Sequence, residues 1–301
     1  VEYYAKNTDD LLFTVNVPAG TNLSDRVLTN IGALENRGLE LTLNGVVYDR
    51  ERFGLDLTGN VSFQHTEISR LDGFGSADIQ TGGIAGGVGN NIQLLSVGET
   101  PYSFFTYEQK YGVDGRPLRD GIDYNEDGVP DNLDIYEDQN GDGTINEQDL
   151  VINEAPAPDV LLGLTANARY GRLNASFTLR GTLGNFAYNN AASNAGNLSR
   201  VAGNGFVSNV HASAVYTRFN TPQYFSDYYV EDASFLRLDN VSLSYDFGNL
   251  VGDNLNLSVY AAAQNLFILT EYSGTDPENG GIDNTPFPRA RIYTLGARIG
   301  I

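Results

Sequence analysis

Side-chain alternation constrains this chain more than any other feature. From Phe53 to Phe63 the odd positions are Phe53, Leu55, Leu57, Gly59, Val61 and Phe63, and the even ones are Gly54, Asp56, Thr58, Asn60 and Ser62. A period of two gives an extended strand one apolar and one polar face. The pattern recurs at Leu39–Leu43, Val160–Arg169, Leu173–Gly181, Phe235–Phe247, Leu255–Phe267 and Tyr293–Ile301. Helical periodicity is nearly absent.

A soluble sandwich or a β-helix shares this alternation, so length must decide. The strands read as about 13–18 residues, where a globular strand averages about 5–6. Aromatic residues mark the ends of the apolar face. Ten residues separate Phe53 from Phe63, and Phe235 from Tyr245. At about 3.3 Å per residue and a tilt near 40–45°, ten residues climb about 23–25 Å, the height of the apolar band of a membrane barrel. An all-β, transmembrane antiparallel β-barrel is therefore expected.

Connection lengths fit that expectation. Arg50-Glu51-Arg52 and Tyr170-Gly171-Arg172 are tight, and Asn249–Asn254 is short, whereas 71–157, 187–232 and 272–288 are long and rich in Gly, Asn and Asp. Barrels pair short periplasmic turns with long extracellular loops. With tight turns in the periplasm, strand 36–50 runs down, 53–70 up, 158–170 down, the strand after the turn at 171 up, 233–248 down, 255–271 up and 289–301 down. Strands 53–70 and 158–170 are then neighbours, and 71–157 is one extracellular excursion, with its own hairpin expected near Tyr102–Lys110. About eight wall strands are counted, with 1–7 as the first.

Charge removes whole classes of function. The 301 residues carry 18 Lys and Arg against 38 Asp and Glu, a net charge of −20. Nucleic-acid binding needs a basic face and is not expected. Cys is absent and there are two His, His65 and His211, so neither a thiolate nor a His-based zinc site is available. No stretch reads as a signal peptide or an apolar helix long enough to span a bilayer. His65 lies on the outward parity above Phe63. Gly82-Gly83, Gly86-Gly87 and Gly89 lack the Lys-Ser/Thr of a phosphate loop. No arrangement of residues points to an enzyme.

The sharpest motif is acidic. Asp138, Asn140, Asp142, Thr144, Asn146 and Asp149, with Gly143 at the sixth place, occupy positions 1, 3, 5, 7, 9 and 12 of a calcium loop. Upstream, Asp123, Asn125, Asp127, Val129, Asp131 and Asp134 repeat the spacing around Gly128. Position 7 gives its main-chain carbonyl, so Thr144 and Val129 are acceptable there. Oxygen donors with a Gly turn suit a hard cation. From Asp120 to Glu154 there are twelve carboxylates and no Lys or Arg, a run that cations would neutralise. Ca2+ in a structural role is the expected cofactor for loop 123–149; a solvated acidic loop is the alternative.

Four stretches carry a family resemblance: Asn30-Ile-Gly-Ala-Leu-Glu-Asn-Arg-Gly-Leu-Glu40; Asp138-Gln-Asn-Gly-Asp-Gly143 followed by Pro156-Ala-Pro-Asp159; Val230-Glu-Asp-Ala-Ser-Phe-Leu-Arg-Leu-Asp-Asn-Val241; and Gln264-Asn-Leu-Phe267 with Tyr272-Ser-Gly-Thr-Asp-Pro-Glu278. In order and spacing the chain resembles the C-terminal part of a SusC/RagA-type TonB-dependent transporter. The resemblance implies the C-terminal portion of a 22-stranded barrel in the outer membrane of a Gram-negative bacterium, with plug domain and TonB box lying upstream of residues 1–301. It also implies import of a bulky nutrient (glycan or oligopeptide), energy from TonB, contact with outer-membrane lipid, and a SusD-like lipoprotein lid. The family usually ends on an aromatic residue; here the last is Ile301.

Aromatic clusters supply the remaining candidates. Tyr102, Phe104, Phe105, Tyr107 and Tyr111, then Tyr224, Phe225, Tyr228 and Tyr229 fall in the long loops. They either stack on a solute, face a partner, or pack the loops internally. A calcium-stabilised extracellular adhesive or scaffold β-protein is the other class to weigh; it would be soluble without detergent.

Overall fold

The computed structural model describes residues 1–16, 26–71, 78–84, 90–201, 208–249, 256–284 and 287–300. The expected turn at 250–254, the glycines Gly86, Gly87 and Gly89, and the final Ile301 lie outside the described residues.

In chain order the strands are β1 (Glu2–Thr8), β2 (Leu12–Asn16), β3 (Arg26–Asn30), β4 (Ala33–Asp49), β5 (Phe53–Arg70), β6 (Ile79–Gly83), β7 (Asn91–Leu95), β8 (Ser103–Thr106), β9 (Val151–Ile152), β10 (Val160–Tyr170), β11 (Leu173–Leu183), β12 (Phe186–Tyr188), β13 (Val230–Asp232), β14 (Phe235–Asn249), β15 (Asn256–Thr270) and β16 (Ile292–Gly300). Eight of them form one antiparallel sheet in the order β1-β4-β5-β10-β11-β14-β15-β16. β5 pairs directly with β10, from Phe63↔Val160 to Phe53↔Tyr170. Everything between them is thus a single excursion.

Cross-strand rows keep the two faces apart. Phe53, Tyr170, Leu173, Tyr245 and Val259 share one outward row, and Leu41, Val61, Leu162, Gly181, Leu236 and Leu269 another. Many of these side chains are exposed, among them Leu41, Tyr170, Tyr245, Val259 and Leu269. An apolar surface this broad suits lipid, not water. The opposite face carries hydroxyl and amide pairs: Ser176 and Ser242 Oγ are 2.7 Å apart, and Thr165 and Thr178 Oγ1 3.3 Å. On this face Tyr4 lies over Gly38, its cross-strand partner, where a Cβ would run into the ring. Among the described residues no helix is long and apolar enough to cross a membrane, and the crossing elements are strands.

One expectation about the apolar face is corrected. A register shift between Leu238 and Asn240 adds one residue to β14 relative to β11, and a bulge reverses parity. Val241, Leu243 and Tyr245 therefore point outward, but above the bulge Leu236 and Leu238 take over that face. Phe235 turns inward beside Arg237 and is 3% exposed. The spacing from Phe53 to Phe63 measures the outer face; that from Phe235 to Tyr245 does not.

At one end lie the tight turns. Gly171 adopts φ +58°, a conformation that costs any L side chain strain, and its amide donates to Arg52 O at 2.7 Å. At the other end are four long connections. Residues 9–32 hold the hairpin β2–β3, which the alternation did not reveal. The 71–159 connection holds a sheet ordered β6-β7-β8-β9. β8 pairs with β7 and β9 and makes no local hairpin at Tyr102–Lys110. β13 pairs with β12 in the loops, so the wall strand begins at Phe235.

Candidate functional site: the loop end of the barrel wall

Three of the long connections share one core. Ile84, Ile92, Phe104, Ile135 and Tyr136 from the 71–159 connection pack with Tyr188, Ala192, Phe219 and Tyr229 from the one between β11 and β14, and Ile282 from the one between β15 and β16 lies against them. Main-chain bonds join the pieces. The Tyr107 amide donates to Phe225 O at 2.7 Å, the Asp227 amide to Tyr107 O at 3.0 Å, and the Tyr188 amide to Gly281 O at 2.8 Å.

This core settles part of the aromatic question. Phe104 is 0% and Tyr229 1% exposed, so they present no surface to a solute or partner; their faces are spent on packing, edge-on in the case of Tyr229 against Tyr188 and Phe219. Phe105, Tyr107, Tyr224, Phe225 and Tyr228 are half-buried. Tyr102 and Tyr111 are exposed. An aromatic residue in a long loop serves core or surface alike, and sequence alone does not separate the two.

Both acidic motifs fold the same way. In the second, Asp138 accepts the amides of Gly141 and Gly143 at 2.8 and 2.9 Å, Asn140 that of Asp142, Asp142 that of Thr144 and Asn146 that of Gln148. Asp149, 0% exposed, takes amides from Gln139, Asn140 and Asn146. The first motif repeats the set. Asp123 accepts Gly128, Asn125 accepts Asp127, Asp127 accepts Val129 and Asp131 accepts Leu133. Asp134 accepts Tyr124, Asn125 and Asp131. Burial works against the Asp134 carboxylate, yet those three amides and the charge of Lys110 hold its pKa below the usual range. The Gly143 amide leads in doing the same for Asp138. Among the described residues no group of three or more His, Cys, Asp or Glu is arranged to hold a metal ion. The calcium donor set itself is mixed, with Asn and main-chain carbonyl oxygens at several places. Asp123 Oδ1 is shielded and accepts no hydrogen bond.

A second constellation was hidden inside the motifs of the resemblance. Arg237, 2% exposed, donates from Nη2 to Asp276 at 2.7 Å and from Nη1 to Asn265 Oδ1 at 2.9 Å. Arg289 reaches Asp276 and Glu278, both at 3.0 Å. Arg180 bridges Asp239 at 2.8 Å and Glu278, and both Arg180 and Arg237 stack over Phe235 at 5.6 and 5.3 Å. Three guanidiniums and three carboxylates thus fasten the Tyr272–Glu278 segment to the inner face of β11 and β14. Asn265 holds φ +52° and also donates to Arg289 O at 3.1 Å. The motifs contain Arg237 and Asp276 but do not show their partnership, because 39 positions separate the two.

A tall antiparallel sheet, greasy outside and polar inside, with turns at one end and an ordered loop assembly at the other, is the wall of a transmembrane β-barrel with long extracellular loops. No family model matches the chain. The chain is 37% identical, over 98% of its length, to the TonB-dependent receptor SusC of Bacteroides thetaiotaomicron, of which it covers 29%. It is 29% identical over 99% of its length to a TonB-dependent receptor of Formosa agariphila, covering 32% of it. Its fold matches the RagAB peptide importer in the closed-closed state with a TM-score of 0.76 at 21% identity, over 99% of this chain and 33% of that one. The chain belongs to the SusC/RagA-type TonB-dependent receptors and corresponds to the C-terminal part of the barrel. It spans about a third of the length of these relatives.

Proposed function

We propose that the protein is part of an outer-membrane importer of a bulky nutrient, a glycan or an oligopeptide, in a Gram-negative bacterium. TonB supplies the energy through the rest of the receptor, and a SusD-like surface lipoprotein closes the extracellular mouth. The observation that carries this reading is the shared core of the long connections. A pore needs only turns, whereas these loops build an ordered platform at one end of the wall. Exposed Tyr102, Tyr111, Tyr124 and Tyr216 decorate it, and tyrosine is enriched at interface hot spots. The half-buried Tyr107, Tyr224 and Tyr228 pack against its core.

Calcium belongs to the same reading as a structural ion of loops 123–134 and 138–149. Its support is the matched hydrogen-bond ladder of the two loops and the shielded, unpartnered Asp123 Oδ1. The ion would neutralise the carboxylate run and pre-order the platform, lowering the entropic cost of docking. Gentle detergent extraction of the full-length receptor followed by intact-complex mass spectrometry tests the proposal. A stoichiometric lipoprotein, with calcium removable by chelation, is expected. Recovery of the receptor alone under every mild condition refutes the lid; unchanged protease resistance of loop 123–149 after chelation refutes the calcium.

A further inference from the structure

The turn end of the wall carries two neighbouring cavities that the import reading does not use. The first, about 490 Å³, is lined by Arg52, Tyr170, Gly171, Arg172, Leu173 and Tyr245. The second, about 530 Å³, shares Leu173 and Tyr245 and continues up the outer face along Leu243, Val259 and Leu295. One is rimmed by guanidiniums and phenols; the other is apolar.

The polar cavity is assembled by the turns. The Gly171 amide bonds Arg52 O at 2.7 Å and the Asp246 amide bonds Arg172 O at 3.0 Å, so adjacent hairpins are fixed in register and both arginines project beside the outward row of Phe53, Tyr170 and Tyr245. Neither guanidinium meets a carboxylate among the described residues. Arg172 Nη1 donates to Phe247 O at 2.7 Å, and Arg52 makes no side-chain bond among the described residues. The carboxylates nearby are otherwise engaged or point to water: Asp49 pairs with Arg169 at 3.2 Å, Asp246 accepts the Gly248 amide at 2.7 Å, and Glu51 is exposed.

We infer that this is a phospholipid site, with the phosphodiester held by Arg52 and Arg172 and one acyl chain lying along Leu173, Leu243, Val259 and Leu295. Charge complementarity selects a phosphate, tyrosines favour the membrane–water boundary, and the contiguous apolar groove selects a lipid over a free anion. The inference rests on the outer-membrane reading, which places these turns at the periplasmic leaflet.

The test uses the full-length receptor, delipidated in mild detergent and titrated with phosphatidylglycerol or with diacylglycerol of the same acyl chains, bound lipid being counted by native mass spectrometry. Wild type should retain phosphatidylglycerol and not diacylglycerol. Arg52→Ala with Arg172→Ala should weaken retention about 30-fold, the factor for two guanidiniums at about 1 kcal/mol each near an anionic surface; Arg172→Gln alone should give a partial loss, and the double Lys variant should restore part of the binding. Heat-modifiable migration of each variant checks that the barrel has formed. Equal retention of the two lipids by wild type, or unchanged phosphatidylglycerol binding by the folded arginine variants, overturns the inference. Absence of wild type from the outer-membrane fraction overturns the reading beneath it.

Discussion

Replacing Asp276 by Ala should release the Tyr272–Glu278 segment from the wall. Arg237 is almost wholly buried, and among the described residues Asp276 is its nearest carboxylate, at 2.7 Å, the next being Glu278 at 3.5 Å. Its Nε already lacks a partner, so the guanidinium has no slack. Removing one member of a buried ion pair costs about 3–5 kcal/mol, because the other stays desolvated. The half-exposed Arg289 at the same carboxylate adds little, since exposed pairs contribute about 0–1 kcal/mol. A local opening cheaper by that amount speeds amide exchange by roughly 10²–10⁴-fold in the segment. Hydrogen exchange on the full-length receptor should show this acceleration at 272–283 while β11, β14 and β15 stay protected. Arg289→Ala should change the same amides less than about tenfold. If Asp276→Ala leaves them as slow as in wild type, the cluster is not what fastens the loop.

Three other outcomes are expected. Asp149→Ala leaves three amides without their acceptor at a fully buried position and should cost the loop about 1–3 kcal/mol, read as faster proteolysis between residues 137 and 150; an unchanged cleavage rate refutes it. Burial raises the Asp227 pKa to about 6, with Glu108 adding to it and the Gln109 amide opposing it. The folded state therefore binds this proton more firmly than the unfolded one, and the stability it contributes is present below about pH 4 and lost as pH rises through 6. Asp227→Asn should then protect Gln109 and its neighbours better than wild type at pH 7.5 and equally at pH 4; equal protection at both refutes the argument. Finally, Ser176→Ala alone strands the Ser242 hydroxyl of a 2.7 Å pair, so it should destabilise more than the double Ser176→Ala/Ser242→Ala change; thermal unfolding of the heat-modifiable form in detergent compares them.

The wall was legible in the sequence because a period of two is a local property. Phe53–Phe63 and Val160–Tyr170 each declare their faces without reference to anything distant, and parity then fixed their adjacency. The upper part of β14 was misread for an equally physical reason. A bulge is one extra residue, and Phe235, Arg237, Tyr245 and Phe247 are all odd-numbered. In the loops the acidic spacing was visible because its hydrogen bonds span few residues, as from Gly143 to Asp138. The Arg237–Asp276 contact and the burial of Tyr229 depend on chain reversals that no local pattern encodes.

The shared core of the long connections constrains how such receptors diversify. Phe104, Tyr188, Phe219 and Tyr229 come from two loops, and a third leans on them through Ile282. A graft of one loop from a relative would meet a foreign half-core and leave apolar faces unmatched. Exchange of these loops by recombination must therefore carry the connections together as a cassette, cut at the wall strands, where the register of β5 on β10 and of β11 on β14 defines the seams.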